Sequence, residues 1–348
     1  MLKVDSAKPA SDVIRFAANL IKRGDLVAFP TETVYGLGAD ALNPEAVKKL
    51  FHAKRRPLDN PPIVHVAEQV DVSRLAKNVS DIAEKLMRQF WPGALTLIFE
   101  RLEIVPNITV AGLNTIAIRM PKNNVALALI RESDCPIAAP SANLAGKPSP
   151  TSAEHVLTDL NGRIDAVLDG GPTIVGVEST VVDLTVSPPQ VLRPGGVSFE
   201  ALVGTVQDVR LGEFASAEKV FEKGQVRSPG MKYRHYAPNA EIILVEGSLG
   251  AVESKITELA VLQKIEGKRV GVLATDETLG SYDGFVVKSV GSRKNLAEIA
   301  SNLFRLLREF DRDGVDVILA EGVPTDGLGL AVMNRLRKAS ANRVVKAD

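Results

Sequence analysis

Residues 27–41 read Val27-Ala-Phe-Pro-Thr-Glu-Thr-Val-Tyr-Gly-Leu-Gly-Ala-Asp-Ala41, and the first part of the chain is built around them. The apolar run at 26–29 has the composition of a buried strand, and a proline ends it. The hydroxyls of Thr31 and Thr33 and the carboxylate of Glu32 therefore follow directly on a strand end. Since open α/β sheets bind ligands where strands end, this loop is a candidate binding site.

A basic cluster and a histidine follow that loop. Asn43 and Pro44 have the cap-then-proline order of a helix start, and the predicted helix ends at Lys54-Arg55-Arg56. Consecutive cations suit a polyanion such as phosphate, and they equally suit the solvated C-terminal end of a helix. His65 lies in the next apolar strand, either as a ligand-binding residue or as an ordinary buried histidine.

The composition narrows the functional class. The 348 residues are 45% hydrophobic, which is enough for two domains, and 42 basic side chains balance 42 acidic ones. This balance excludes a global basic field for non-specific binding of nucleic acids. Cys135 is the single cysteine, which excludes an internal disulfide and a cysteine-rich zinc site. No signal peptide or membrane span is predicted, so we expect a soluble, cytoplasmic protein.

The alternation of strand and helix patterns predicts an α/β protein with two domains. The alternation runs through residues 1–205, which we interpret as a first domain built on a sheet. Residues 206–238 lose this periodicity and form the predicted linker. A second alternation over residues 239–348 predicts a smaller, Rossmann-like parallel sheet, and its pattern indicates a fold without indicating a site.

Two glycine patterns match nucleotide-binding motifs only formally. The run Gly36-x-Gly38-x-x-Ala41 has the dinucleotide spacing, but the predicted helix begins too late after it. Gly171 and Gly176 have Walker-like spacing, but the Lys-Ser/Thr pair is missing. The four histidines of the sequence also lack metal-ligand spacing. We therefore predict neither a dinucleotide fingerprint, nor a P-loop, nor a histidine metal centre.

Further polar side chains recur at predicted strand ends. Ser141 and Asn143 follow an apolar strand, where they either bind phosphate or ribose or form a plain turn. Arg119 ends another strand on the same face as Thr115, and an arginine there pairs with a carboxylate of the protein or of a substrate. Arg193 precedes Pro-Gly-Gly, either as a phosphate-binding cation or as a surface charge. The convergence of these residues at strand ends favours a site for an anionic ligand.

Several motifs together resemble those of the YrdC-like family. They are Phe29-Pro-Thr-Glu-Thr-Val-Tyr-Gly-Leu37, Lys54-x-Arg56-Pro57, Ala139-Pro-Ser-Ala-Asn143 and Ser179-Thr-Val181. The block Ser228-Pro-Gly…His235-Tyr-Ala-Pro238 and the α/β domain after it resemble the long form of that family. The resemblance covers the whole chain. It implies a YrdC-like twisted α/β domain over 1–205, a linker or lid over 206–238, and the Rossmann-like domain after it.

The resemblance also implies a nucleotidyltransferase. Such an enzyme joins L-threonine, bicarbonate and ATP into L-threonylcarbamoyladenylate and releases pyrophosphate, and a downstream complex then transfers the threonylcarbamoyl group to tRNA. The implied ATP-binding residues are Lys54, Arg56, Leu58, Thr115, Ser141, Asn143, Ser149, Arg193 and Tyr236, with Lys54 and Arg56 as the catalytic cations. The implied L-threonine residues are Thr31, His65, Arg119, Ala139 and Ser179. His235 and Tyr236 are the implied lid.

The chemistry implied by the resemblance suits these residue types. A threonine N-carboxylate attacks the α-phosphorus of ATP, so positioning and charge neutralisation matter more than a nucleophilic side chain. Mg²⁺ is expected on the ATP phosphates. No carboxylate cluster dedicated to this cation is evident, and Glu32 and Glu178 are its unassigned candidate ligands.

Two other functions remain open. The first is a non-catalytic module that binds double-stranded RNA or tRNA, because the family's concave basic surface suits RNA. Weak RNA binding is for the same reason an expectation for the enzyme. The second is a carbamoyltransferase on the same fold, which would need an acylphosphatase or zinc-finger region that the sequence lacks.

Overall fold

The computed structural model describes residues 1–213, 215–218 and 236–348, which divide into two compact units. Within the described residues, the first unit comprises 1–145, 149–213 and 215, and the second comprises 146–148, 216–218 and 236–348. The predicted linker at 206–238 lies partly outside the described residues, so its boundaries stay a prediction. No helix in the described ranges has both the length and the apolar content needed to cross a bilayer.

The first unit is a mixed sheet with helices packed on it. Its described strands are β1 (Leu2–Lys3), β2 (Val27–Phe29), β3 (Gly36–Asp40), β4 (Val64–His65), β5 (Leu95–Glu100), β6 (Thr115–Arg119), β7 (Ile137–Ala138), β8 (Ala166–Asp169), β9 (Thr180–Asp183), β10 (Gln190–Arg193) and β11 (Arg210–Leu211). Its described helices are α1 (Ser11–Lys22), α2 (Pro44–Lys54), α3 (Asp81–Phe90), α4 (Asn124–Ser133), α5 (Ala153–Leu160) and α6 (Phe199–Thr205), with a 3₁₀ helix at Gln69–Arg74. The strand order is β1-β8-β2-β3-β7-β4-β6-β5-β9-β10-β11.

Helix α2 brings the basic cluster to the sheet, as the sequence predicts. Asn43 caps its start, since its side-chain oxygen accepts hydrogen bonds from two backbone N–H groups of the first turn at 3.1 and 3.2 Å. Pro44 is its first residue. The helix ends at Lys54, and Arg55 takes a left-handed conformation (φ 52°) that turns the chain away. The three cations therefore diverge at a helix end instead of forming one surface patch.

The two faces of strands β4, β6, β5, β9 and β10 differ. One face contributes to the large core of the first unit, through buried residues that include Val64, Leu97, Ile118, Val182 and Val191. The other face carries a small apolar cluster, formed by Ile63, Ile98, Ala117, Val181 and Leu192. Because side chains alternate along a strand, His65 lies on the face of Ile63 and Arg119 on the face of Ala117. His65 and Arg119 are paired in the parallel register of β4 and β6, so this second face gathers the polar groups.

The second unit has the Rossmann-like parallel sheet that the sequence predicts. Its described strands are β12 (Glu241–Gly247), β13 (Val270–Ala274), β14 (Val286–Ser289), β15 (Val317–Glu321) and β16 (Val344–Ala347). All pair in parallel in the order β14-β13-β15-β12-β16. Its described helices are α7 (Leu249–Ile265), α8 (Leu296–Asp313) and α9 (Gly329–Ala339), with a 3₁₀ helix at Asp276–Ser281.

Candidate functional site

The loop after β2 is held together by threonine hydroxyls. The hydroxyl of Thr31 donates to the carbonyl of Val34 at 2.7 Å and accepts the backbone N–H of Thr33 at 3.1 Å. It also lies 2.8 Å from the hydroxyl of Thr33. Both threonines are buried. This network gives a rigid loop that aims Glu32 and Thr33 at Arg119.

Arg119 is the cation at the centre of the polar face. Its side chain is buried, its Nη1 donates to the hydroxyl of Thr33 at 2.9 Å, and its Nε donates to the carbonyl of Gly93 at 3.1 Å. Its Nη2 lies 2.7 Å from Oε1 of Glu32. The guanidinium is therefore fixed in orientation, and it is the predicted ligand of the substrate carboxylate.

His65 is neutral on this face. Burial, with the adjacent Arg119 as the second cause, lowers the pKa of His65 to about 3. Its Nδ1 lies 3.2 Å from the carbonyl oxygen of Ile63, and since a carbonyl only accepts, Nδ1 carries the proton. Nε2 is then a hydrogen-bond acceptor, which suits contact with an amine or hydroxyl of a ligand.

Lys54 is buried and organises a predicted phosphate-binding loop. Its ammonium donates to the backbone carbonyl oxygens of Ser141 and Asn143, and its own carbonyl accepts the N–H of Ala145. Residues 141–145 therefore wrap around the end of α2. This arrangement places a positive charge beside the predicted nucleotide residues Ser141 and Asn143.

Arg56 orders the loop that follows α2. Its Nε donates to the carbonyl of Asn60 at 2.8 Å, and its Nη2 donates to the side-chain oxygen of Asn60 and to the carbonyl of Pro61. Leu58 lies in this loop and is 62% exposed. Thr115 is half-buried at the start of β6. The structure thus places Arg56 where it shapes the backbone around Leu58.

Ser179 and Arg193 form a second polar pair on the sheet. The guanidinium of Arg193 donates to the carbonyl of Ser179 at 2.8 Å and to its hydroxyl at 3.2 Å. The hydroxyl of Ser179 also lies 2.7 Å from that of Thr96. A side chain at Gly195 would place its Cβ about 2.3 Å from the backbone of residues 178–179, so only glycine permits this close approach.

The remaining predicted residues of the first unit lie in the same loops. Ser149 is buried and donates to the carboxylate of Glu178 at 2.5 Å. The backbone N–H of Ala139 donates to the carbonyl of Ile63 at 2.8 Å, which joins the end of β7 to the start of β4. Thus every predicted residue of the first unit has a defined place in the loops or on the polar face.

The predicted lid is only partly described. His235 lies outside the described residues, and its predicted role stays a prediction. Tyr236 belongs to the second unit, where its ring stacks on Phe304 with centroids 5.4 Å apart, and the guanidinium of Arg335 lies 5.2 Å from its centroid. It has a positive φ of 66°. These contacts fix its ring within the second unit.

The residues considered for Mg²⁺ do not form a protein cage for a cation. Glu32 faces the guanidinium of Arg119, and Glu178 accepts the hydroxyl of Ser149. Among the described residues, no three His, Cys, Asp or Glu side chains are grouped as metal ligands. Glu32 and Glu178 therefore stay unassigned as ligands of Mg²⁺.

Two members of the polar face were not assigned from the sequence. Thr33 contacts Arg119, and Thr96 contacts Ser179. The signal for Thr33 was present, because it stands in the same strand-end loop as Thr31. Thr96 carried no such signal, since it lies inside an apolar strand and reaches Ser179 only through the pairing of β5 with β9.

Comparison with protein families agrees with the two-unit organisation. The model of the Sua5, YciO and YrdC proteins, described as "Telomere recombination", matches residues 19–195. A second model, described as "Threonylcarbamoyl-AMP synthase, C-terminal domain", matches residues 197–341. The two matches together span most of the chain.

Individual relatives match nearly the full length. The threonylcarbamoyl-AMP synthase of Pyrococcus abyssi is 54% identical over 333 residues, covering 96% of this chain and 95% of the relative. The synthase of Bacillus subtilis is 50% identical over 332 residues, covering 95% and 93%. A crystal structure of P. abyssi Sua5 complexed with L-threonine superposes with a TM-score of 0.94 at 52% identity, covering 100% of this chain and 99% of that one. The chain therefore belongs to the Sua5–YciO–YrdC family, in the form that carries the additional C-terminal domain.

Proposed function

We propose that this chain is a nucleotidyltransferase that makes L-threonylcarbamoyladenylate from L-threonine, bicarbonate and ATP, for threonylcarbamoyladenosine synthesis in tRNA. The observation that carries the proposal is the gathering of Arg119, neutral His65 and the Ser179–Arg193 pair on one sheet face. Full-length similarity to threonylcarbamoyl-AMP synthases supports it, as does the L-threonine held by the P. abyssi structure.

The threonine subsite follows from the chemistry of the polar face. Arg119 neutralises the α-carboxylate of threonine, since a guanidinium matches a carboxylate in charge and geometry. Nε2 of His65 accepts a hydrogen bond from the substrate. Thr31, Ser179 and the backbone of Ala139 complete the predicted set. These groups sit on strands or on a loop braced by hydrogen bonds, so they orient the substrate before reaction.

The nucleotide subsite uses the loops around the end of α2. The positive charge of Lys54 and the loop that it holds, with Ser141 and Asn143, receive the phosphates. Arg56, Arg193 and Ser149 are the other predicted polar contacts. Thr115 and the backbone of Leu58 are further members of the proposed ATP site, and His235 and Tyr236 are the proposed lid.

The reaction needs no nucleophilic side chain. The amine of threonine adds to the carbon of bicarbonate, with loss of water, and gives an N-carboxylate. An oxygen of this carboxylate attacks the α-phosphorus of ATP, and pyrophosphate leaves. Cations that face the developing negative charge lower the barrier of this displacement.

The remaining components of the proposal follow from the reaction. Mg²⁺ arrives on the ATP phosphates, as it does for most nucleotide enzymes. The product passes to a transfer complex that modifies tRNA, so we place the protein in the cytoplasm. Weak RNA binding remains compatible with this role.

The test is pyrophosphate release from ATP in the presence of bicarbonate, with and without L-threonine, and with L-serine as the control amino acid. We expect release that depends strongly on threonine. Absent release, together with salt-dependent binding of double-stranded RNA, would favour the non-catalytic RNA-binding module instead.

A further inference from the structure

Glu32 is a buried carboxylate that faces one arginine and accepts no hydrogen bond from the described residues. Its side chain is 9% exposed, and neither carboxylate oxygen accepts a hydrogen bond from any described residue. Nη2 of Arg119 lies 2.7 Å from Oε1, yet neither atom has a hydrogen bond, so the N–H groups do not point at the oxygen. The contact is electrostatic only.

Such an arrangement is unfavourable without a ligand. A buried carboxylate that accepts no hydrogen bond loses its hydration without replacement, and this loss normally costs several kcal/mol. The surrounding structure holds the loop firmly all the same. The backbone carbonyl of Glu32 accepts the N–H of Val175 at 2.8 Å, and the hydroxyls of Thr31 and Thr33 brace it. The unsatisfied oxygens are therefore presented by a rigid loop, which is what a pre-formed binding site requires.

The α-ammonium of an amino acid is a hydrogen-bond donor that suits the carboxylate of Glu32. Free L-threonine carries an α-carboxylate and an α-ammonium on one carbon, so a site for it needs a cation and an anion side by side. Arg119 and Glu32 are such a pair. The guanidinium is already held by Thr33 and Gly93, whereas the carboxylate lacks donors that the three N–H bonds of an ammonium can supply.

We propose that Glu32 binds the α-ammonium of L-threonine while Arg119 binds its α-carboxylate. This inference rests on the proposed function and adds the residue that recognises the amine. Glu32 thereby selects amino acids over hydroxy acids of the same shape, and it orients the nitrogen that becomes carboxylated.

The first experiment separates the substrates by their KM values. Glu32→Gln keeps the shape of the side chain and removes its charge, and we expect it to raise the KM for L-threonine about 100-fold, with the KM for ATP within about twofold. Glu32→Asp keeps the charge on a shorter side chain and should fall between wild type and Glu32→Gln. Glu45→Gln, an exposed carboxylate in the first turn of α2, is the matched control and should change neither constant.

The second experiment separates amine binding from an effect on Arg119. (R)-3-Hydroxybutanoate has the carboxylate and hydroxyl of threonine but no amine. Glu32→Gln should bind this competitive inhibitor at least as tightly as wild type, because the acid has no ammonium to lose.

Two results overturn the inference. One is an unchanged KM for threonine in a folded Glu32→Gln protein. The other is an equal weakening of threonine and of (R)-3-hydroxybutanoate, which would make Glu32 a positioning residue for Arg119 only. If Glu32→Gln does not fold, Glu32→Asp is tested against both ligands by the same criteria. Wild type without threonine-dependent pyrophosphate release overturns the proposed function itself, which is a distinguishable outcome.

Discussion

Two buried carboxylates, one in each unit, have opposite surroundings. Glu321 ends β15 in the second unit and is 2% exposed. It accepts the backbone N–H of Thr275 at 3.0 Å and the hydroxyls of Thr275 at 2.8 Å, Tyr282 at 2.7 Å and Thr278. Glu32 in the first unit accepts no hydrogen bond from the described chain. The two carboxylates are therefore similarly buried, but only Glu321 accepts hydrogen bonds from the described residues.

The difference separates a structural carboxylate from a binding one. The donors around Glu321 saturate its oxygens, so they tie three parts of the second unit together and leave no place for a ligand. The loop that carries Glu32 holds its carboxylate oxygens beside Arg119, and no described residue donates a hydrogen bond to them. Buried polar groups without partners are rare in folded proteins, and at Glu32 the proposed threonine ammonium supplies the missing donors.

The largest expected effect is the loss of stability from Glu321→Ala. The substitution leaves four donors without an acceptor in a buried region, so we expect the free energy of unfolding to fall by about 3–5 kcal/mol. The KM for L-threonine should not change at a temperature where the variant is folded. Denaturant unfolding and steady-state kinetics measure both quantities.

Glu32→Gln is compared in the same unfolding assay. It loses no hydrogen bond but removes the charge that faces the buried Arg119, and the amide oxygen can still face the guanidinium, so its unfolding free energy should fall by less than that of Glu321→Ala. Similar losses of stability in the two variants would contradict the distinction between a structural and a binding carboxylate.

The next largest expected effect is a pH dependence of the unfolding free energy that His65 in the first unit causes. The pKa of His65 is lowered to about 3 in the folded protein, against about 6.5 in the unfolded chain, so the unfolded state binds the proton first on acidification. Stability is therefore lost as the pH falls from 6.5 toward 3, by up to about 1.4 kcal/mol per pH unit.

We expect His65→Gln to lose this contribution to the pH dependence of the unfolding free energy between pH 4 and 6.5. Urea unfolding across that pH range measures it. His52→Gln is the control, because the side chain of His52 is exposed on α2. If the unfolding free energy of His65→Gln changed with pH as steeply as that of wild type, His65 would not be buried as a neutral imidazole.

The smallest expected effect on the free energy of unfolding comes from removing a single side-chain hydrogen-bond donor. Tyr282→Phe removes one hydrogen bond to the charged Glu321 and keeps the ring, so we expect a loss of about 1.5–3 kcal/mol. Thr109→Val removes a hydrogen bond of 2.7 Å to the neutral carbonyl of Ala41, and a loss of about 0.5–1.5 kcal/mol is expected. Equal losses in the two variants would show that the Glu321 cluster is not held by its charge.

Much of the fold could be predicted because local signals and the global architecture agree. The cap at Asn43, the proline after it and a helix end at the basic cluster 54–56 are confirmed, with Lys54 as the last helical residue. The parallel second sheet and the membership of the YrdC-like family are confirmed as well. The family motifs also indicated the residues of the candidate site, whose roles remain predictions.

The sequence by itself therefore determined the α/β class, the two-domain order and the kinds of side chain available to the site. Periodicity, helix caps and turn residues act between neighbouring positions, so the amino-acid sequence contains these signals directly. Only the tertiary structure decided that Arg119 meets Glu32, that Thr96 meets Ser179 and that Lys54 holds the loop at 141–145. These contacts join distant positions through strand pairing and loop packing, and their hydrogen-bond geometry, including the unsatisfied oxygens of Glu32, exists only after the chain has folded.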